Sequence, residues 1–261
     1  MKPTTLLFSL LLTLSHLQAQ EPGNGPSPLF RDEFSGKQLD ESIWSLPNAP
    51  WFDVFYRLQD MAFGGGMLRV EPKYYPEGYT QNGKSYLITS GGLISKKSFK
   101  YGYYEMRCKF PDNPSLRSAL WMHAGTKERY REIDIFEFDG DEVTEVPVNL
   151  HYADSTKTLG RSQYEGGAYI YDSGVDLTAD YHLYGLEWTE HKIAFYFDNK
   201  LIRECDISAP LFFSLREEMK LYITHHKLGN PAPFADRYKN SWDIDYIRVW
   251  ESREARTKAR D

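Results

Sequence analysis

Tyr103-Tyr-Glu-Met-Arg-Cys-Lys-Phe110 carries two interleaved patterns. Tyr104, Met106, Cys108 and Phe110 are apolar, and the residues between them are mostly polar or charged. A period of two is the spacing of an extended strand with one buried face; a helix would repeat near 3.6. The same alternation runs through Lys192-Ile-Ala-Phe-Tyr-Phe197 and Asp243-Ile-Asp-Tyr-Ile-Arg-Val-Trp250. Turn signals separate such runs. Asp198-Asn199 fits a two-residue hairpin, and Gly64-Gly65-Gly66 and Gly91-Gly92 fit tight bends. No long 3.6-period stretch survives beyond the amino terminus. The pattern predicts an all-β chain, an antiparallel β-sandwich of the jelly-roll kind.

The rest of the composition agrees. The 261 residues include 41% hydrophobic and 15% aromatic side chains, enough apolar mass for a sizeable core without disulfide staples. The 19 Tyr and 6 Trp suit strands, and flat amphipathic rings also suit stacking on sugars. A net charge of -6 argues against nucleic acid as a partner. Met1 to Gln20 reads as a secretory signal: Lys2, then an apolar run from Leu6 to Leu14, then Leu17-Gln18-Ala19 before the cut. That run is too short to span a membrane. Residues 21–28 are a Pro/Gly-rich lead-in, residues 29–251 are expected to form one domain, and residues 252–261 form a charged tail. The two cysteines make no disulfide framework, and Cys108, on the apolar face of its strand, is expected to be a buried thiol. The chain is expected to act as a monomer.

Chemistry concentrates in Glu132-Ile-Asp-Ile-Phe-Glu137. On a strand Glu132 and Asp134 share a face, and Ile133 points the other way. Strict alternation would send Glu137 into the core, where an unpartnered carboxylate is costly. A β-bulge near Ile135-Phe136 returns Glu137 to the Glu132 face and leaves Phe138 facing inward. Three carboxylates on one face suit a retaining glycosidase, with one as nucleophile, one as acid/base and Asp134 as the helper that orients Glu132. The charge of Asp134 would raise a neighbouring carboxyl and help Glu137 hold a proton. The bland alternative is a solvent-facing acidic strand. It is the better reading for Asp243-x-Asp245, which lacks a third acid. Asp139-Gly-Asp-Glu142 is read as a turn.

The Glu-x-Asp-x-x-Glu motif, Glu132 to Glu137, resembles the bulged branch of glycoside hydrolase family 16: laminarinases, agarases, carrageenases and porphyranases. Flanking blocks extend the resemblance over nearly the whole mature chain. They are Phe30-Arg-Asp-Glu-Phe-Ser-Gly36 with Leu39-Asp40 and Trp44, Thr89 to Ser95, Phe99 to Pro111, Glu187-Trp188-Thr189 and Ile244 to Val249. The resemblance implies a jelly roll with a concave cleft, Glu132 as nucleophile, Asp134 as helper and Glu137 as acid/base. It also suggests substrate contacts. Tyr130 stands where relatives often stack a Trp on sugar, Trp121 matches the second Trp of a Trp-Pro-Ala-Phe-Trp block, and His151 matches a substrate-contacting His. Arg117 and His123 share the Trp121 face; Leu120 and Met122 should face the core, with Trp44 and Trp188.

Departures from the family pattern bear on substrate. Arg117 replaces the first Trp of that block, and Ile223-Thr-His-His-Lys-Leu228 stands where laminarinases carry Gly-Gly. A guanidinium suits sulfate or carboxylate. The leading expectation is therefore an endo-hydrolase of a β-1,3(1,4)-glucan of the laminarin type, with an anionic or sulfated galactan as rival. Lys127, Arg129 and Arg131 add little, since the last two alternate away from the cleft. A non-catalytic carbohydrate-binding jelly roll is the alternative from another class, and transglycosylation would share the first half-reaction. No cofactor or metal is expected to serve catalysis; the resemblance allows a structural Ca2+, with Glu33 and Asp245 as possible ligands.

Overall fold

The computed structural model describes residues 27–48, 50–51, 53–126, 129–153, 162–163, 168–229, 234 and 238–253. The segment read as a secretory signal, Lys127 and most of the charged tail lie outside them. The fold is a β-jelly roll of two eight-stranded sheets and a small third one. One sheet runs in the order Lys200–Asp206, Lys192–Phe197, His182–Trp188, Gly102–Lys109, Trp242–Trp250, Leu68–Val70 and Met61–Phe63, with Phe30–Asp32 also paired to Trp242–Trp250. The other runs Ser162–Gln163, Glu145–Ala153, Arg131–Asp139, Leu116–Ala124, Met219–Lys227, Gly92–Phe99 and Trp44–Ser45, with Tyr169–Asp172 also paired to Glu145–Ala153. Within both sheets every pair is antiparallel. In the small sheet, Val54–Tyr56 pairs in parallel with Lys84–Ser90, which also pairs with Lys73–Gln81.

Alternation decides which side chains meet between the large sheets. Tyr104, Met106 and Cys108 from one sheet join Leu120, Met122, Ile133, Phe136 and Phe138 from the other in a single core. Phe110 stacks on Phe138 with ring centroids 4.1 Å apart and meets Phe136 edge-on at 5.0 Å. Trp44 and Trp188 are fully buried, as expected, and each indole N–H has an acceptor: Asp32 Oδ2 at 2.8 Å and the Leu215 carbonyl at 3.0 Å. The Asp198-Asn199 hairpin forms with φ of 44° and 65°, the left-handed pair a two-residue turn demands. Gly91-Gly92 differs from the tight bend expected. The chain crosses there from the small sheet into the large one, and a Cβ on Gly91 would fall 2.1 Å from Met61 Cγ. Close packing, not a positive φ, calls for that glycine.

Candidate active site

The neighbouring strands Leu116–Ala124 and Arg131–Asp139 count differently. Met122 pairs with Ile133 and Trp121 with Asp134, but Leu120 pairs with Phe136. Ile135 is the extra residue, the bulge the acidic pattern called for. Beyond it Phe136 and Phe138 point into the core, while Glu137 and Asp139 return to the side of Glu132 and Asp134. That side forms the floor of a cavity of about 1330 Å3, lined by Glu132, Asp134 and Glu137 and by Arg117, Trp121, His123, Tyr130 and His151. All eight residues singled out in the sequence therefore reach one cleft.

At the Glu132 end the carboxyl is nearly enclosed. The Tyr130 hydroxyl donates to Glu132 Oε2. His151 Nε2 lies 3.4 Å from Glu132 Oε1 and 2.9 Å from Asp134 Oδ2. Burial, then the charge of Asp134, pushes the Glu132 carboxyl up to about 7, against the Tyr130 hydrogen bond and His151. Burial raises Asp134 well above the usual carboxylate range, and the charge of Glu137 adds to it. Two buried carboxyls side by side cannot both ionise cheaply, so a proton is retained by the pair. Asn149 Nδ2 lies 3.1 Å from the same His151 nitrogen, while Asn149 Oδ1 accepts the Leu150 N–H. A donor on that side favours a lone pair at Nε2, which leaves the retained proton on Asp134 and Glu132 as the group free to ionise.

The other end is built around Arg117. Its Nε and Nη2 donate to Asp139 Oδ1 and Oδ2 at 2.6 and 2.7 Å, and Nη1 donates to Glu137 Oε1 at 3.0 Å. The sequence suggested an open cation awaiting an anion; the fork is instead occupied by carboxylates of its own sheet. Arg129 and Arg131 face away as expected, engaging Glu217 and the Glu218 carbonyl.

The aromatic wall differs from expectation in one respect. Trp121 is almost buried, stacked on Tyr222 at 4.5 Å with its indole N–H on Thr224 Oγ1. Trp51, not singled out in the sequence, meets both rings and lines the cleft with more of its surface open. It sits in an irregular Pro-rich loop without periodicity, so nothing local marked its face. Asp139, Asn149 and His226 were missed too. Asp139 ends its strand and opens the turn expected over Asp139–Glu142, where the Glu142 N–H donates to the Asp139 carbonyl at 3.0 Å, so its side chain still falls on the cleft face. His123 packs between Tyr130 and Trp121, and burial lowers its pKa, keeping the ring neutral.

Comparison with known proteins decides the family. Residues 27–252 match the family model described as Beta-porphyranase A-D, GH16 domain. The chain belongs to this family. Among curated relatives of family 16, a beta-glucanase of Acetivibrio thermocellus is 29% identical over 208 residues, covering 76% of this chain and 56% of the relative. The chain thus spans little more than half of that protein. Beta-porphyranase B of Zobellia galactanivorans is 26% identical over 246 residues, covering 84% of this chain and 82% of the relative. The laminarinase catalytic domain of Thermotoga maritima MSB8 superposes with a TM-score of 0.73 at 22% identity, over 87% of this chain and 98% of that one.

The structural calcium suggested by the family 16 resemblance does not fit the residues proposed for it. Both oxygens of Glu33 accept from Arg248 at 2.8 Å, and Asp245 accepts from Arg107 at 2.6 Å. Guanidinium groups hold the charge a cation would have balanced. Among the described residues, the ligand-like grouping is Glu132, Asp134 and His151, within 4.8 Å of one another. Cys108 is buried and Cys205 half-buried, and both are free thiols.

Proposed function

We propose that this chain is a retaining, endo-acting hydrolase of a β-linked polysaccharide. The observation that carries the reading is the bulge at Ile135, which gives Glu132, Asp134 and Glu137 one cleft. Glu132 attacks the anomeric carbon while Glu137 gives its proton to the departing glycosidic oxygen. Glu137 then takes a proton from water, whose oxygen displaces Glu132 and restores the enzyme. Asp134 and His151 hold Glu132 in place, and the Tyr130 hydroxyl steadies its carboxylate. Trp51, Trp121, His123 and Tyr130 offer rings to the sugars. Export through the segment Met1–Gln20 fits a polymer too large to enter a cell.

For the substrate, a β-galactan of the porphyran type is favoured by the family model and by the porphyranase matched over 82% of its length. A β-1,3(1,4)-glucan is the second reading, favoured by the glucanase relatives. The cleft is lined by Glu132, Asp134, Glu137, Asp139 and Glu145 against Arg117 and Lys227. Both cations already have carboxylate partners, Lys227 with Asp53 at 3.3 Å. That balance favours a neutral sugar against the catalytic strand, with any sulfate further along the chain.

Reducing-end release from porphyran, agarose, carrageenan, laminarin and lichenan under one set of conditions tests the class and selects the substrate. Glu132→Ala should abolish turnover, and azide should restore cleavage as a glycosyl azide of inverted configuration. Undiminished activity in Glu132→Ala, or binding without turnover across the whole panel, would sink the assignment.

A further inference from the structure

Arg117 and Asp139 are direct cross-strand partners, and Glu137 lies opposite Ala119. On a pleated sheet this makes Arg117 the diagonal neighbour of Glu137 on the same face. The small Ala119 side chain leaves the diagonal open for a guanidinium. Two parallel hydrogen bonds donated to Asp139 fix the plane of that guanidinium, and a third N–H then has one direction left, toward Glu137 Oε1. All three side chains are half-buried or less exposed, so water competes weakly for these bonds.

We propose that Arg117, locked by Asp139, is a positioning residue for acid catalysis, and that it is not an anion subsite. The inference rests on the hydrolase reading above. With Oε1 accepting from Arg117, the proton of Glu137 must sit on Oε2, the oxygen left to face the cleft. In the first half-reaction the Oε2–H bond breaks and the proton passes to the glycosidic oxygen. That oxygen takes the electron pair of the broken C1–O bond as Glu132 bonds to C1. In the second half-reaction the same oxygen receives the proton of water. The cation never leaves the enzyme's own carboxylates, and a sulfate approaching it would meet Glu137 and Asp139 first. Neighbouring His226 adds no charge, since burial and then the Arg117 cation keep its ring neutral.

Leaving groups separate this role from a merely structural one. A polysaccharide leaving group needs the proton; a 2,4-dinitrophenolate does not. Arg117→Ala and Asp139→Asn would be compared with wild type on the polysaccharide that wild type cleaves. The same comparison would use a 2,4-dinitrophenyl β-glycoside of its oligosaccharide. The expected result is a kcat lowered about 10- to 100-fold on the polysaccharide. KM should stay within about 3-fold on the polysaccharide, the kcat/KM for dinitrophenolate release, which reports the first half-reaction alone, should be near wild type, and Arg117→Lys should restore part of the loss. Equal losses on both substrates would assign a structural role, and loss confined to KM for a sulfated polymer would assign an anion subsite. Either outcome, or unchanged kcat, overturns the inference. Wild type without turnover on either substrate overturns the hydrolase reading itself, and this inference with it.

Discussion

Glu132→Gln should make the protein more stable while making it inactive, and the gain should depend on pH. The Glu132 carboxyl is pushed from an ordinary 4.5 to about 7, burial being the larger cause and the charge of Asp134 the next. At about 1.36 kcal/mol per tenfold change in proton affinity, that displacement is worth about 3 kcal/mol. The direction follows from linkage. The native state binds this proton more tightly than the unfolded chain does. Below pH 4.5 both states hold it and the site costs nothing. Between pH 4.5 and 7 the unfolded chain loses its proton first, so native stability falls as pH rises, and above pH 7 the full cost is present. A neutral amide of the same shape removes the cost, and Tyr130 can still donate to its oxygen. Glu132→Gln should therefore match wild type near pH 4 and exceed it by up to about 3 kcal/mol at pH 8. That is a rise of up to about 10 °C in melting temperature for a chain of this size. Asp134 keeps its proton, so only the burial share of that displacement remains and the gain lies below this upper limit. Urea denaturation of both proteins at pH 4 and pH 8 measures the difference. A gain of equal size at both pH values, or destabilisation at pH 8, would refute the argument.

Three further perturbations test other links. Trp51→Ala should raise KM about tenfold, the equivalent of one aromatic contact of about 1.5 kcal/mol, with kcat nearly unchanged. An unchanged KM in steady-state kinetics would remove Trp51 from the sugar path. Deleting Ile135 should remove the bulge and leave Asp134 opposite Trp121 and Phe136 opposite Leu120 in unbroken alternation. The acids then keep their face, and the cost in urea denaturation is that of one buried aliphatic side chain, about 2–5 kcal/mol. A deletion variant with no cooperative transition would show that the pairing of the two strands depends on the bulge. Gly140→Ala should cost about 1–3 kcal/mol in urea denaturation, because its Cβ would fall 2.1 Å from the Asn113 carbonyl oxygen. A neutral result would mean that this turn yields freely.

The sandwich was legible because alternation reports burial directly: Met106 and Cys108 had to face one way and Arg107 and Lys109 the other. The bulge was legible for a different reason. Two patterns that should share one phase, apolar and acidic, disagree by one residue after Asp134, and a single inserted residue reconciles both. The partners of those acids were not legible. Arg117 on its strand is a cleft-facing cation, and only the register that sets it opposite Asp139 reveals that its fork is already occupied. Asn149 and Trp51 were hidden likewise, one by a cross-strand pairing and the other by a loop whose path no period describes. Which carboxyl rises also depended on depth: it is Glu132 and Asp134 that enclosure pushes up, and depth is a property of the closed sheet.

The same strand explains how the fold tolerates its own chemistry. One face of Arg131–Asp139 gathers Glu132, Asp134, Glu137 and Asp139, and such crowding of like charge disfavours any compact state. The opposite face supplies Ile133, Ile135, Phe136 and Phe138, all buried in the main core. Each contributes about 1.5–3 kcal/mol, together well above the few kcal/mol that the Glu132 site costs at neutral pH. The acids are also treated differently at the two ends. The Tyr130 hydroxyl and the His151 ring meet the buried pair, whereas a fixed cation meets Glu137 and Asp139. A cation beside Glu132 would stabilise its carboxylate and blunt it as a nucleophile, while a carboxyl that must turn one chosen oxygen toward the substrate gains from a rigid charged partner. Placing Arg117 at one end of the strand and Tyr130 at the other gives the two carboxyls different work on a single face.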